Sequence, residues 1–295
     1  QIIPASNYVS HERHQARRIR ASLRSTLDKA RMFVFLLDSS HFIISGALVG
    51  LLVGMTGVGG GSLMTPLLTL IFGVAPAAAV GTDLAFAAIT KGFGTAAHRL
   101  HGNVRWDIVR LLCIGSISTA ILSILALKYV GPVSKDWNHL ISISIGISVL
   151  LTAASLLFRA KILKWVQANP RYLPTGVALN TSTIIVGAVI GILVTVSSIG
   201  AGAIGATLIL LLYPHLKASE VAGTDIAYAV PLTSLAGLGH WWLGNVHFDL
   251  LFGLLIGSVP AIWLGAKLSS VLSERATRTT LAGTLFLVGI KLVSS

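Results

Sequence analysis

Ten apolar runs, at about 41–56, 63–73, 75–98, 108–130, 139–158, 183–197, 203–213, 219–242, 249–271 and 280–293, occupy most of the chain beyond residue 40. With 295 residues, 54% hydrophobic and 11% charged, and a mean hydropathy of +0.83, the chain is too apolar for a soluble domain of its length. Its solvent is a bilayer. There every backbone N–H and C=O must find a partner within the protein, which a helix supplies from its own backbone. The expected fold class is an all-α, polytopic membrane protein.

Two stretches interrupt this pattern. Gly57-Val58-Gly59-Gly60-Gly61-Ser62 lies between the runs 41–56 and 63–73, and Ser198-Ile199-Gly200-Ala201-Gly202-Ala203 follows the run 183–197 in the same way. Glycine weakens a helix by roughly 1 kcal/mol relative to alanine, so both stretches predict a break. Irregular backbone at membrane depth survives only when it is buried in protein or faces a water-filled cavity. In a cavity, bare amides and the N-terminus of the next helix form an anion seat. Close packing is the competing structural reading. No Gly-Lys-Ser/Thr follows the first stretch, so it is not a nucleotide phosphate loop.

The halves repeat. Gly46 and Gly50 correspond to Gly187 and Gly191 at an offset of 141. After a one-residue slip, Gly81-Thr82-Asp83 corresponds to Gly223-Thr224-Asp225, His98 to His240, Gly102-Asn103-Val104 to Gly244-Asn245-Val246, and Asp107 to Asp249. Such duplication is a common way to build a transporter around a central site. The expected organisation is a basic amphipathic segment over 1–39, a first repeat over 40–158, a basic linker over 159–181 and a second repeat over 182–295.

Crossing number follows from parity and charge. The runs 63–73 and 203–213 are too short to span alone, since a crossing takes about 20 residues. Read as second halves of broken spans, they give four crossings per half and eight in all. That places the N-terminal segment, the loop with Arg99, Arg105 and Arg110, and the linker together on the cytoplasmic side. The alternative makes 63–73 a complete passage, with ten segments as five plus five inverted repeats. Arg275 and Arg278 count against eight, which puts them outside.

The net charge of +12 does not point to nucleic acid. Much of it sits in residues 1–31, where Arg13, Arg17, Arg18, Arg20, Arg24, Lys29 and Arg31 flank the first apolar run and Ile19, Leu23 and Leu27 line one helix face. This describes a surface helix on anionic lipid, with a transit peptide as the competing reading. Cys113 is the single cysteine and forms no internal disulfide. No metal-spaced Cys/His/carboxylate cluster and no nucleophile–base pair stands out, so neither a cofactor nor enzymatic chemistry is expected.

Asp83 and Asp225 lie inside apolar segments, where a carboxylate costs at least ~2.5 kcal/mol and so faces a partner, a cavity or a proton path. Bracing of a turn and binding of a coupling proton or cation are both open. Lys91, about 12 Å beyond Asp83 along a helix, is too far to pair with it directly. Its counter-charge is then an anionic substrate, an acid elsewhere, or water at an interface. His98 and His240 stand before turn-like Gly-Asn pairs and read as hydrogen-bonding residues or as a proton relay. Trp106, Trp137, Trp165, Trp241 and Trp242 fall near span ends, as an interfacial aromatic belt does. The spacing Gly46-xxx-Gly50-xxx-Gly54 marks a close helix contact.

One family carries these residues together. Gly57-Val58-Gly59-Gly60-Gly61-Ser62-Leu63-Met64-Thr65-Pro66, Ala79-Val80-Gly81-Thr82-Asp83-Leu84, Ala88-Ile89-Thr90-Lys91, His98 and Gly102-Asn103-Val104-Arg105-Trp106-Asp107 resemble the TauE/SafE sulfite exporter family, also called the toluene-sulfonate uptake permease family. The resemblance covers about 40–293. The second half departs from it, with Ala201 for the middle glycine, Thr207 for Pro66 and Thr233 for Lys91. It implies a secondary carrier of sulfite, sulfonates or related small anions in a bacterial cytoplasmic membrane, coupled to a proton or cation gradient. The expected anion seat is Gly59, Gly60, Gly61, Ser62, Thr82, Lys91, Gly200, Ala201, Gly202 and Thr224, with Asp83 and Asp225 binding the coupling ion. A homodimer is one assembly this allows.

Overall fold

The computed structural model describes residues 40–56, 61–100, 102–129, 135–169, 171, 173–268 and 274–294. The N-terminal basic segment and Gly59 and Gly60 therefore lie outside the described residues. Among the described residues there are ten helices and no strands: α1 (Ser40–Thr56), α2 (Gly61–Leu70), α3 (Pro76–Leu100), α4 (Trp106–Tyr129), α5 (Lys135–Ala168), α6 (Gly176–Ser197), α7 (Ala203–Leu212), α8 (Ala218–Trp242), α9 (Phe248–Leu268) and α10 (Glu274–Ser294). Five of the apolar stretches, in α4, α5, α6, α8 and α9, are long enough to cross a bilayer by themselves. Their outward faces carry exposed Ile, Leu, Val and Phe, as lipid contact requires. The protein is an all-α polytopic membrane protein.

Helix contacts repeat across the halves. The bare face of α1 lies on α9: a Cβ on Gly46 would strike the Leu254 carbonyl, and one on Gly50 would meet Ser258 backbone at 2.6 Å. In the other half, Gly187 lies on Leu112 and Gly191 on Ser116, which sets α6 on α4. Each first helix of a repeat is thus packed by the fourth helix of the other. Without a hydrophobic drive between helices in lipid, such small-residue contacts let the backbones approach and gain dispersion energy. At the centre α3 lies on α8, with Gly81 against Asn245 and His240, Gly223 against Asn103, and Gly237 against Ala85.

These contacts also fix directions. Leu112 to Ser116 rise along α4 as Gly187 to Gly191 rise along α6, so these helices are parallel. By contrast, residue numbers fall on α8 as they rise on α3, so those two are antiparallel. Since α3 turns back into α4 across residues 102–105, α8 runs with α4 and hence with α6. The chain must return between α6 and α8, through Ser198–Leu212. The broken-span arrangement of four plus four would keep α6 and α7 in one direction and set α3 and α8 parallel. The observed directions match the five-plus-five alternative with inverted repeats.

Helix ends explain the reversal. Ser198 closes α6 in the left-handed region at φ 60° and ψ 6°, its N–H bonded to the Val194 carbonyl. Gly200 and Gly202 then take φ 135° and 131°, which side chains rarely tolerate, and α7 starts at Ala203. The bends and turn between Ser198 and Gly202 reverse the chain inside the protein, and Ile199, Ala201 and Ala203 are buried there.

Candidate functional site

The second glycine-rich loop is the point on which the polar side chains of the interior converge. From α3, the Lys91 ammonium, 9% exposed, donates to the Ala201 carbonyl at 3.2 Å. The charges of Asp225 and Asp83 both act on Lys91, yet among the described residues neither carboxylate comes within ion-pair distance of it. The amide carbonyl of the break is its acceptor.

Both aspartates hold the short helix of their own repeat. The Thr65 hydroxyl of α2 donates to Asp83 Oδ2. On the other side the Gly202 N–H, at the head of α7, points to the Asp225 carboxylate, where the helix dipole favours negative charge. Bracing is therefore real for both, across to the short helix and not to the turn before their own helix. Each still leaves an oxygen over: Asp83 Oδ1 and Asp225 Oδ1 are buried without a hydrogen-bond partner, as are the Ser198 hydroxyl and the Tyr228 hydroxyl. Ser198 faces Asp83, and Tyr228 faces Asp225.

Three other expected site residues have assigned work elsewhere. Thr82 accepts the His247 N–H at 3.1 Å and Thr224 accepts the Arg105 N–H at 3.1 Å, so each pins the α3–α4 or α8–α9 loop of the opposite repeat. His240, buried, is bonded through Nε2 to the Thr195 carbonyl at 2.9 Å, which assigns the proton to that nitrogen. The equivalent His98 lies in α3, its side chain outside what is described. Ser62 is buried in the first turn of α2, with Gly61 at its start.

Several residues at this site escape a reading by motif. Helix α5 supports the loop with a stripe of hydroxyls. Ser148 accepts from Ser197 at 3.0 Å, and Ser155 donates to the Ala203 carbonyl at 3.0 Å with Thr207 at 2.7 Å. Their spacing, Ser148, Thr152 and Ser155, is one helix face, and that periodicity in an apolar run is the signal that marks them. Tyr228 is marked by standing three residues after Asp225, on the same face of α8. Beside this polar centre, α3, α8 and α9 enclose an apolar groove of about 550 Å³ lined by Ala85, Ala88, Thr233, Gly237, Trp241 and Phe248 among others. Neither Lys91 nor either aspartate lines it.

A buried lysine held against the break between two helices, in a chain of two repeats, fits a membrane transport protein. The sequence match decides the lineage: residues 42–292 match the sulfite exporter TauE/SafE family along most of the chain. The chain belongs to that family. Relatives include the probable membrane transporter protein YjnA of Bacillus subtilis, 36% identical over 255 residues, covering 86% of this chain and all of the relative. YdhB of the same organism, also named a probable membrane transporter, is 28% identical over 250 residues, covering 83% of this chain and 96% of its own. A probable membrane transporter of Methanocaldococcus jannaschii is 25% identical over 276 residues, covering 88% and 96%. No solved structure matches. As a TauE/SafE protein the chain is an integral, multi-pass membrane transporter and not an enzyme. The second glycine-rich loop, Asp83 and Lys91 form part of one polar centre.

Proposed function

We propose that the protein is a secondary active carrier of small anions, sulfite or an organic sulfonate, coupled to a proton or cation gradient across a bacterial cytoplasmic membrane. The observation that carries this reading is Lys91. Its buried ammonium has an amide carbonyl for a partner and no carboxylate at contact distance among the described residues. An anion against Lys91 and the amides of Gly200 and Ala201 supplies that counter-charge, close to the head of α7 where a helix N-terminus already favours one. The charges of Asp83 and Asp225 both act on the same ammonium. Neutralising either raises the positive potential at Lys91 and favours the anion, and by linkage the anion favours the neutralised carboxyl. Anion and coupling ion then bind together and move in the same direction as the inverted repeats rock about the centre.

The test is a transient current from proteoliposomes on sudden addition of sulfite, then of sulfonates and carboxylates, with and without a pH gradient. A saturable current for a sulfur anion, lost in Lys91→Met, supports the reading. A current strongest for carboxylates transfers the same site to non-sulfur organic anions, and a non-saturating current makes it a channel.

A further inference from the structure

The two repeats hold their aspartates differently, and the difference separates bracing from proton uptake. At the positions of Met64 and Phe86 in the first repeat, the second repeat carries Gly205 and Tyr228. Met64 and Phe86 are buried, so apolar bulk fills those places in the first half. In the second half the missing side chain of Gly205 leaves room, and two oxygens use it. A Cβ on Gly205 would strike Asp225 Oδ1 and would come within 2.7 Å of the Tyr228 hydroxyl. Both oxygens are buried and neither has a hydrogen-bond partner. The hydroxyl that holds Asp83, that of Thr65, has no counterpart either, because Ala206 stands at its place.

We propose that Asp225, and not Asp83, takes up the coupling proton, on Oδ1, and that the neighbouring Tyr228 hydroxyl, not bonded to it in this structure, closes onto it as its hydrogen-bond partner in both charge states. When Asp225 is ionised, the Tyr228 O–H donates to Oδ1. After a proton from water adds to Oδ1, the neutral acid donates its O–H to the Tyr228 oxygen, and release reverses the step. A phenol suits this because it both donates and accepts. Phe86 does neither; in the first repeat Asp83 keeps its bond to Thr65 and anchors α2, and the hydroxyl that faces it is that of Ser198, from the loop of the other repeat. The charged and titratable groups facing the Asp225–Tyr228 pair are Lys91 from α3, Arg159 from α5 and Cys113 from α4, with the Gly202 N–H from the loop. Lys91 couples the proton to the anion, since it is the group that both would share.

The use of this proton rests on the carrier reading, but its detection does not. Infrared difference spectra of the full chain in nanodiscs, taken on a pH step, report the C=O stretch of a buried carboxylic acid without any cargo. The expected band is lost in Asp225→Asn, kept in Asp83→Asn, and shifted in frequency and titration midpoint in Tyr228→Phe. That last variant keeps the carboxylate and so answers even where Asp225→Asn fails to fold. Absence of a buried acid band in the unaltered protein, its survival in folded Asp225→Asn, its loss in Asp83→Asn, or an unshifted band in Tyr228→Phe would each overturn the assignment. Sulfite uptake in proteoliposomes separates the two readings. A band that follows Asp225 in protein that moves no anion leaves the proton site standing and removes the carrier.

Discussion

Lys91 occupies a position where the second repeat has Thr233, whose hydroxyl bonds its own helix at the Ala229 carbonyl at 2.8 Å. The centre therefore holds one ammonium where symmetry would supply two identical groups, and the proposed cargo is accordingly a single anion. Lys91→Met is expected to lower initial anion uptake at least ten-fold, which corresponds to ~1.4 kcal/mol or more of lost binding free energy. Lys91→Arg should keep part of the rate, because charge is retained while the planar guanidinium fits the Ala201 carbonyl differently. His240 makes a contrasting prediction. Its removal in His240→Ala leaves the buried Thr195 carbonyl unpaired, at about 1–3 kcal/mol, so thermal unfolding should move down. The pH profile of transport in the surviving folded protein should stay where it was; a displaced profile would assign His240 to the proton path.

At the scale of helices, the α1–α9 and α4–α6 pairs approach closely, since their backbones touch at Gly46, Gly50, Gly187 and Gly191. Gly46→Leu and Gly187→Leu should each destabilise the folded protein by about 1–3 kcal/mol through overpacking, read as lower melting temperatures in nanodiscs. Gly283, where a side chain would meet open space, supplies the control, and Gly283→Leu should leave the melting temperature unchanged. The short helices α2 and α7 are held more by polar side chains: Asp83 with Thr65, Asp225 with the Gly202 N–H, and Ser155 with Ala203 and Thr207. Hydrogen bonds exchange partners over small displacements, whereas interlocked backbones do not. The elements suited to move during transport are therefore α2 and α7, against a frame of glycine-packed helices.

For the whole molecule, the inverted arrangement brings the C-terminal ends of α3, α5, α7 and α9 to one side. The basic residues Arg99, Arg105, Arg159, Lys161 and Lys217 gather there, with Arg275 and Arg278 following α9 in sequence. Exposed Trp106, Trp165, Trp241 and Trp242 stand at helix ends, and Lys128 lies over the Trp242 ring at 3.8 Å, as an interfacial pair does. Asp107 and Asp249, exposed at the equivalent starts of α4 and α9, then face opposite sides of the membrane. With Cys113 replaced by serine, a membrane-impermeant thiol reagent should label Asp107→Cys and Asp249→Cys from opposite faces in oriented vesicles. Labelling of both from the same face would restore four crossings per half.

Hydropathy and duplication alone determined that this chain is a polytopic helical protein of two repeats. Lipid leaves the backbone few solutions, and equivalent residues such as Thr82 and Thr224 recur in register. They also marked the glycine-rich breaks, Lys91 and both aspartates, because polar or helix-weakening residues in apolar sequence need a reason. Repeat orientation was not legible. Parity rests on whether the chain reverses at Ser198–Gly202, and that is decided by the left-handed turn at Ser198 and by α3 packing against α8. Nor could spacing show that Thr82 and Thr224 hold loops of the opposite repeat, or that Ser155 and Tyr228 belong to the centre, because those contacts join residues distant in sequence. Local sequence sets what each segment can bury; only the tertiary structure sets which charge is left facing which.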